Sequence, residues 1–161
     1  MVVKSSDAAA DRVICADIWL ESSLAAHDFI PACFWRAQRQ AMIDRYLPVS
    51  TVYLAVNGER VAGFAALNGS VLAALFVRPE DQGLGAGRAL MGHLFDRHEK
   101  LFLSVYLKNH RAIVFYERLG FVPGEEDVCP HTGELERSMV WHKKTPVLRQ
   151  GSEMSGRDDW I

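Results

Sequence analysis

The sequence predicts an α/β (α+β) domain, a mixed and mostly antiparallel sheet flanked by helices. Three observations carry this. Period-two apolar runs, "TVYLAV" and "RVAGFAAL", are separated by turn chemistry at Asn57 to Glu59. A continuous apolar run, "VLAALFV" (Val71 to Val77), leads through a Gly-rich loop and a helical stretch into a second strand, "LFLSVYL". Such a strand–helix–strand crossover makes its two strands parallel neighbours. Helical spacing of apolar residues dominates the chain before Pro48.

Taken in order, "AADRVICADIWLESSL" sets Val13, Ile14, Ile18 and Leu20 or Ala16 near helical spacing, with Asp7 as its cap. Pro31 interrupts at Ile30. "ACFWRAQRQAMIDRYL" then resumes a helix that Pro48 ends. The hairpin follows. "NGS" (Asn68 to Ser70) turns the chain into Val71 to Val77, which reads as a strand buried on both faces. After the glycines comes a helix with Leu90, Met91, Leu94 and Phe95 on one face. "NHRAIVFYERLG" is a short helix capped by Asn109 and closed by Gly120. "FVPGEE" starts a strand, "LERSMVWHK" ends the sheet, and "GEED" (Gly124 to Asp127) reads as a solvated turn. The organisation expected is one domain over residues 1–144 and a mobile polar extension over 145–161, which Trp160 could tie to a neighbour.

Composition narrows the function. With 161 residues, 49% of them hydrophobic, the chain can bury one sizeable core. A net charge of -2 and the lack of any Lys/Arg block give no support to a nucleic-acid partner. Cys15, Cys33 and Cys129 are an odd number without C-x-x-C spacing, which fits inert thiols in a reducing compartment. The start has no apolar signal core, and Val71 to Val77 is far shorter than the ~20 residues a membrane span needs. The expectation is a cytoplasmic protein with no membrane partner. His93, His98, His131 and His142 are scattered, so no metal is expected.

The glycines of "DQGLGAG" (Asp81 to Gly87) raise the functional question. Glycine weakens a helix start unless bare backbone must face something there. A Walker loop needs Lys and Ser or Thr after its last Gly, where this chain has Arg88 and Ala89. A dinucleotide fingerprint needs Gly at position 88 and an early βαβ unit, and neither is present. What remains is a strand, a tight loop and a helix mouth whose free N–H groups and dipole suit an anion such as a pyrophosphate, with Arg88 as an added cation. Close helix–sheet packing is the other reason for such glycines.

A second stretch completes the pattern. Gln82, Gly85 and Gly87 fit Q/R-x-x-G-x-G/A. Asn109, Ala112, Phe115, Tyr116, Gly120 and Phe121 fit N-x-x-A-x-x-F-Y-x-x-x-G-F. In this order and at this separation the pair resembles the GNAT superfamily of acetyl-CoA-dependent N-acetyltransferases. The resemblance covers residues 50–142 well and the N-terminal helices more loosely, where "WLESSLAAHDF" looks like small bacterial members, some of them protein-lysine acetylating. It implies a central sheet of six to seven strands with about four helices.

It also implies roles. Acetyl-CoA would be the co-substrate. The amides of Gln82, Gly83, Leu84, Gly85, Ala86, Gly87 and Arg88 would bind its pyrophosphate. The backbone of Leu75, Phe76 and Val77 would pair with the pantetheine arm, and an N–H near Phe76 or Val77 would polarise the thioester. Asn109, Ala112 and Phe115 would contact the coenzyme. Tyr116 shares an i, i+3, i+4, i+7 face with Ala112, Phe115 and Leu119; periodicity alone makes it a core residue, and the resemblance makes it the general acid. The general base is open: many relatives have a Glu near this strand, and "VLAALFV" has none. Glu21, His27 and Asp28 stand where family members wall the acceptor site. The acceptor is an amine, on a small molecule or a protein. The alternative is a non-catalytic acyl-CoA-binding sensor or assembly module. A monomer and a homodimer both fit.

Overall fold

A computed structural model describes residues 1–144; the extension expected over 145–161, Trp160 included, lies outside them. Seven strands and four α-helices form among the described residues, in two compact units, Met1–Arg97 and His98 onward. None of the helices described is long and apolar enough to cross a membrane.

The first unit is built on four antiparallel strands in the order β1 (Val2–Ser6), β2 (Thr51–Asn57), β3 (Arg60–Asn68) and β4 (Val71–Val77). Both expected hairpin turns form, and each is a two-residue loop that starts on a glycine, Gly58 (φ 65°) and Gly69 (φ 61°). β1 was not legible. Two valines before Lys4, Ser5 and Ser6 make too short an apolar signal, and the strand exists by pairing with β2. Its presence moves the start of α1 (Ala9–Ala26), whose N-cap is Ala8, without a side-chain cap, in place of the expected Asp7. Ser6 fills the corner: its hydroxyl donates to Asp11 and accepts from the Ala8 N–H.

The buried face of α1 is Cys15, Ala16, Ile18, Trp19, Ser22 and Ser23, rotated from the expected one so that Val13 is exposed. Two serines on a buried face at helical spacing are the feature that apolar periodicity overlooks. α2 (Ala32–Ala41) continues through a π-helical turn, Met42–Tyr46, and a 3₁₀ turn, Leu47–Val49, that contains Pro48. α3 (Ala86–Phe95) buries Ala86, Leu90, Met91 and Leu94.

β4 differs from its expectation. Leu72 and Ala74 are buried, Val71 and Ala73 are exposed, and Leu75 to Val77 are half-buried. The strand pairs antiparallel with β3, an arrangement that tolerates a solvated face, so double burial does not follow from its apolar composition.

The second unit has β5 (Lys100–Tyr106), α4 (His110–Arg118), β6 (Val122–Val128) and β7 (Leu135–His142), with β7 antiparallel to both β5 and β6. Gly124 to Asp127 are strand, not turn; the register slips between Pro123 and Glu126, and Arg137 across the pair binds the Gly124 carbonyl (3.0 Å) and the Glu126 carboxylate.

Gly63 is glycine for want of room. A Cβ there would lie 2.6 Å from the Phe76 carbonyl oxygen and 3.1 Å from Val77 Cα, so β3 and β4 approach through it. Gly63→Ala is expected to lower unfolding free energy by about 1–3 kcal/mol, the usual cost of overpacking, in urea denaturation of the full chain.

Candidate active site

Antiparallel alternation decides which groups β4 leaves available. The Arg78 N–H donates to Ala62 O at 2.8 Å, and the register pairs Val77 with Gly63 and Phe76 with Phe64. The positions bonded to β3 are therefore 74, 76 and 78, and the N–H and C=O of Leu75 and Val77 point away from β3. Of the two amides the sequence offered for polarising a carbonyl, Val77 has this orientation and Phe76 does not. The Val77 carbonyl accepts from the Ser22 hydroxyl at 3.0 Å and from Gln82 Nε2 at 3.2 Å.

The loop beyond it is one 3₁₀ turn, Pro79–Asp81, followed by the glycines. Gly83 (φ 83°) and Gly85 (φ 94°) are left-handed, and Gly85 is the N-cap of α3. The Gln82 N–H turns to Pro79 O (3.4 Å), and among the described residues the N–H groups of residues 83–88 have no acceptor. Ala86 anchors the helix mouth in the core, while Leu84 and Arg88 are exposed. Six unpaired amides at the positive end of a helix make an anion cradle.

In the second unit, Asn109 caps α4: its Oδ1 accepts from the Ala112 N–H at 3.2 Å. Gly120 (φ 102°) closes the helix, with Phe121 N–H on Tyr116 O (3.0 Å) and Gly120 N–H on Glu117 O (3.0 Å). These two ends fix the rotation of α4. Its expected inward face is buried at Tyr116 and Leu119 and half-buried at Ala112 and Phe115. Tyr116 is 8% exposed and its ring meets Phe115 and Phe121 edge-on at 5.3 and 5.4 Å. Burial raises its pKa, so it is a protonated phenol at neutral pH.

The acceptor-side candidates divide. Glu21 is half-exposed on α1, with its carboxylate 3.7 Å from Arg78 Nη1. Its pKa is raised by partial burial and by hydrogen bonding to Glu80. His27 is 6% exposed and packs against Phe29, Trp35 and Phe76 at ring distances of 5.7, 5.4 and 6.5 Å. Asp28 is exposed. The first unit thus brings Glu21 and His27 to the end of β4 and leaves Asp28 outside. Sequence reasoning missed Ser22 and Arg78; the latter also donates through Nε to Val61 O at 2.8 Å. Among the described residues no three His, Cys, Asp or Glu side chains are grouped to hold a metal ion.

Comparison with known proteins gives a consistent result. The family model described as "Acetyltransferase (GNAT) domain" matches residues 48–123. The chain is 39% identical over 106 residues to peptidyl-lysine N-acetyltransferase YiaC of Escherichia coli K12, a match covering 65% of this chain and 73% of the relative. It is 34% identical over 113 residues to peptidyl-lysine N-acetyltransferase YjaB of the same strain, covering 69% and 76%. The solution structure of apo-form YjaB from Escherichia coli superposes with a TM-score of 0.76 at 27% identity, over 88% of this chain and 98% of that one.

Burial lowers the His27 pKa from 6.5 to about 4, so the imidazole is neutral near pH 7 and the folded state resists its protonation. The unfolded chain binds this proton first. The contribution to stability is full above pH 6.5 and is lost as the pH falls through 4, with a limit of roughly 3 kcal/mol for the 2.5-unit shift. The pH dependence of urea unfolding between pH 7 and 4 should flatten by that amount in His27→Gln; an unchanged slope would place the imidazole in water.

Proposed function

The chain belongs to the GNAT family of acetyltransferases and is an acetyl-CoA-dependent N-acetyltransferase, and we propose that its acceptor is the ε-amine of a protein lysine. The acceptor rests on the two relatives, both peptidyl-lysine N-acetyltransferases. The catalytic reading is favoured over a non-catalytic acyl-CoA module, because relatives that match over most of their length are enzymes.

The observation that carries the site is the row of unpaired amides at residues 83–88. We assign them the coenzyme pyrophosphate, with Arg88 adding charge at the rim. Gln82 contributes its side chain to the Val77 carbonyl. The outward N–H and C=O groups of Leu75 suit the amides of the pantetheine arm, as one strand edge reads another, while the Val77 carbonyl is taken by Ser22 and Gln82. The Val77 N–H then polarises the thioester carbonyl and steadies the oxyanion that forms when the amine attacks. Phe76 lines the site with its side chain. Asn109, Ala112 and Phe115 contact the coenzyme from α4, and the buried phenol of Tyr116 delivers a proton to the departing thiolate. Glu21 is the carboxylate that draws in the ammonium form of the acceptor. Neutral His27 walls the acceptor side and is too weak a base at about pKa 4 to deprotonate it. The reading uses no metal and places the enzyme in the cytoplasm.

Two substitutions test it with acetyl-CoA and a lysine-containing peptide. Gly85→Asp forces a Cβ into φ 94° and sets a carboxylate in the cradle, so acetyl-CoA affinity should fall tenfold or more by calorimetry. A folded Gly85→Asp with unchanged affinity refutes the site. Tyr116→Phe keeps the ring and its packing, and should lower kcat by about 10²–10⁴-fold at near-constant acetyl-CoA affinity. If the chemical step, followed as pre-steady-state release of coenzyme A, is unchanged in that variant, Tyr116 is a packing residue. Transfer to small polyamines or aminoglycosides in place of the peptide would replace the lysine acceptor.

A further inference from the structure

Ser22 lies outside the motif pair and in none of the roles assigned above. Yet it is 3% exposed on α1, and its hydroxyl reaches across 55 residues of sequence to the Val77 carbonyl at 3.0 Å. The same carbonyl accepts from Gln82 Nε2 at 3.2 Å. Both lone-pair directions of one backbone oxygen are therefore occupied, by donors from two different elements. A strand carbonyl at this position would ordinarily bond a neighbouring strand or water.

We propose that Ser22 is a positioning residue for acetyl transfer, acting through the Val77 carbonyl to hold the acceptor-side helix in register with the reactive amide. The argument rests on the site reading given above, in which the Val77 N–H faces the thioester. In a strand the N–H and C=O of one residue point the same way, so whatever fixes the Val77 carbonyl also fixes the direction of its N–H. Gln82 ties that carbonyl to the phosphate loop. Ser22 ties it to α1, which carries Glu21 one residue earlier and leads to His27 against Phe76. One oxygen atom thus joins the three parts that must be in register when the amine attacks: the phosphate cradle, the thioester amide and the acceptor wall. A misplacement of reacting groups by about 1 Å can cost of order 10²-fold in rate.

The two ties have different consequences. Loss of the Ser22 hydroxyl leaves the Gln82 bond and the amide cradle intact, so coenzyme binding persists. It frees α1 to shift against β4, so the step that needs the acceptor slows. The methyl side chain left by Ser22→Ala fits the space the serine filled, and Ser22→Thr restores the hydroxyl.

The test uses the full chain, with acetyl-CoA affinity measured by calorimetry, thermal unfolding, and steady-state transfer to a lysine peptide. Ser22→Ala should lower kcat/KM for the peptide five- to twentyfold, with acetyl-CoA affinity within twofold of the parent, and Ser22→Thr should recover most of the loss. Transfer by Ser22→Ala at the parental rate overturns the proposal. So does a loss of rate that merely follows a lowered thermal midpoint in both variants, which marks Ser22 as a packing residue. Gly85→Asp run in parallel separates the two levels: if it binds acetyl-CoA normally, the site reading falls, and the Ser22 proposal falls with it whatever its own kinetics.

Discussion

The candidate site depends on one backbone alternation. In β4, residues 74, 76 and 78 face β3, and residues 75 and 77 face away from it. A strand held from one side is a rigid ruler with a readable edge, provided that the holding side is tight. Gly63 supplies the tightness, since the Phe76 carbonyl lies where its Cβ would be. The Arg78 guanidinium on Val61 O extends the same grip past the end of the strand. The fixed direction of the Val77 amide, proposed above to polarise the thioester, therefore originates on β3, at a residue with no side chain.

A second constraint fixes the charge balance beyond the strand. Six N–H groups at a helix mouth favour an anion, and carboxylates near them would compete for that role. The chain has several close by, and each is engaged elsewhere. Glu80 and Asp81 bind Arg60 at 3.1 and 2.9 Å, and Glu21 lies beside Arg78. These pairs are exposed and add little to stability. Their effect is on placement: Arg60 on β3 and Arg78 at the end of β4 hold Glu80, Asp81 and Glu21 in ion pairs.

Much of this was legible in the sequence and some of it was not, for physical reasons. The two turns, the helix mouth at Gly85 and the Asn109 cap are local chemistry, in which a residue dictates its own backbone or its neighbour's, and all formed where the sequence put them. The α/β class, with a sheet of six to seven strands and about four helices, followed from the motif pair and the period-two runs. β1, the burial of β4 and the facing of α1 were misread because each is decided by partners far along the chain: β2 for the first, β3 for the second, and packing against α2, β3 and β4 for the third. Ser22 belongs to the last group. A serine on a helix gives no local sign that its hydroxyl serves a strand 55 residues away. The burial of His27 has the same origin, since it comes from Trp35 and Phe76, which only the fold brings to it.

The environment of Tyr116 bears on its proposed role as general acid. A free phenol has a pKa of about 10 and a thiol about 8.5, so full proton transfer from tyrosine to a thiolate in water is uphill by roughly 2 kcal/mol. Burial raises the phenol further, which at first sight makes it a worse acid. The same exclusion of water also disfavours the thiolate, and raises the proton affinity of a sulfur that departs into that setting. Desolvation thus moves donor and acceptor in the same direction and leaves their difference small. It also strengthens the hydrogen bond formed while the C–S bond is breaking. Edge-on packing against Phe115 and Phe121 and the closed helix end at Gly120 keep the ring where it is. A buried phenol suits the proposed role, because it stays protonated near neutral pH and would yield its proton only as the thiolate forms.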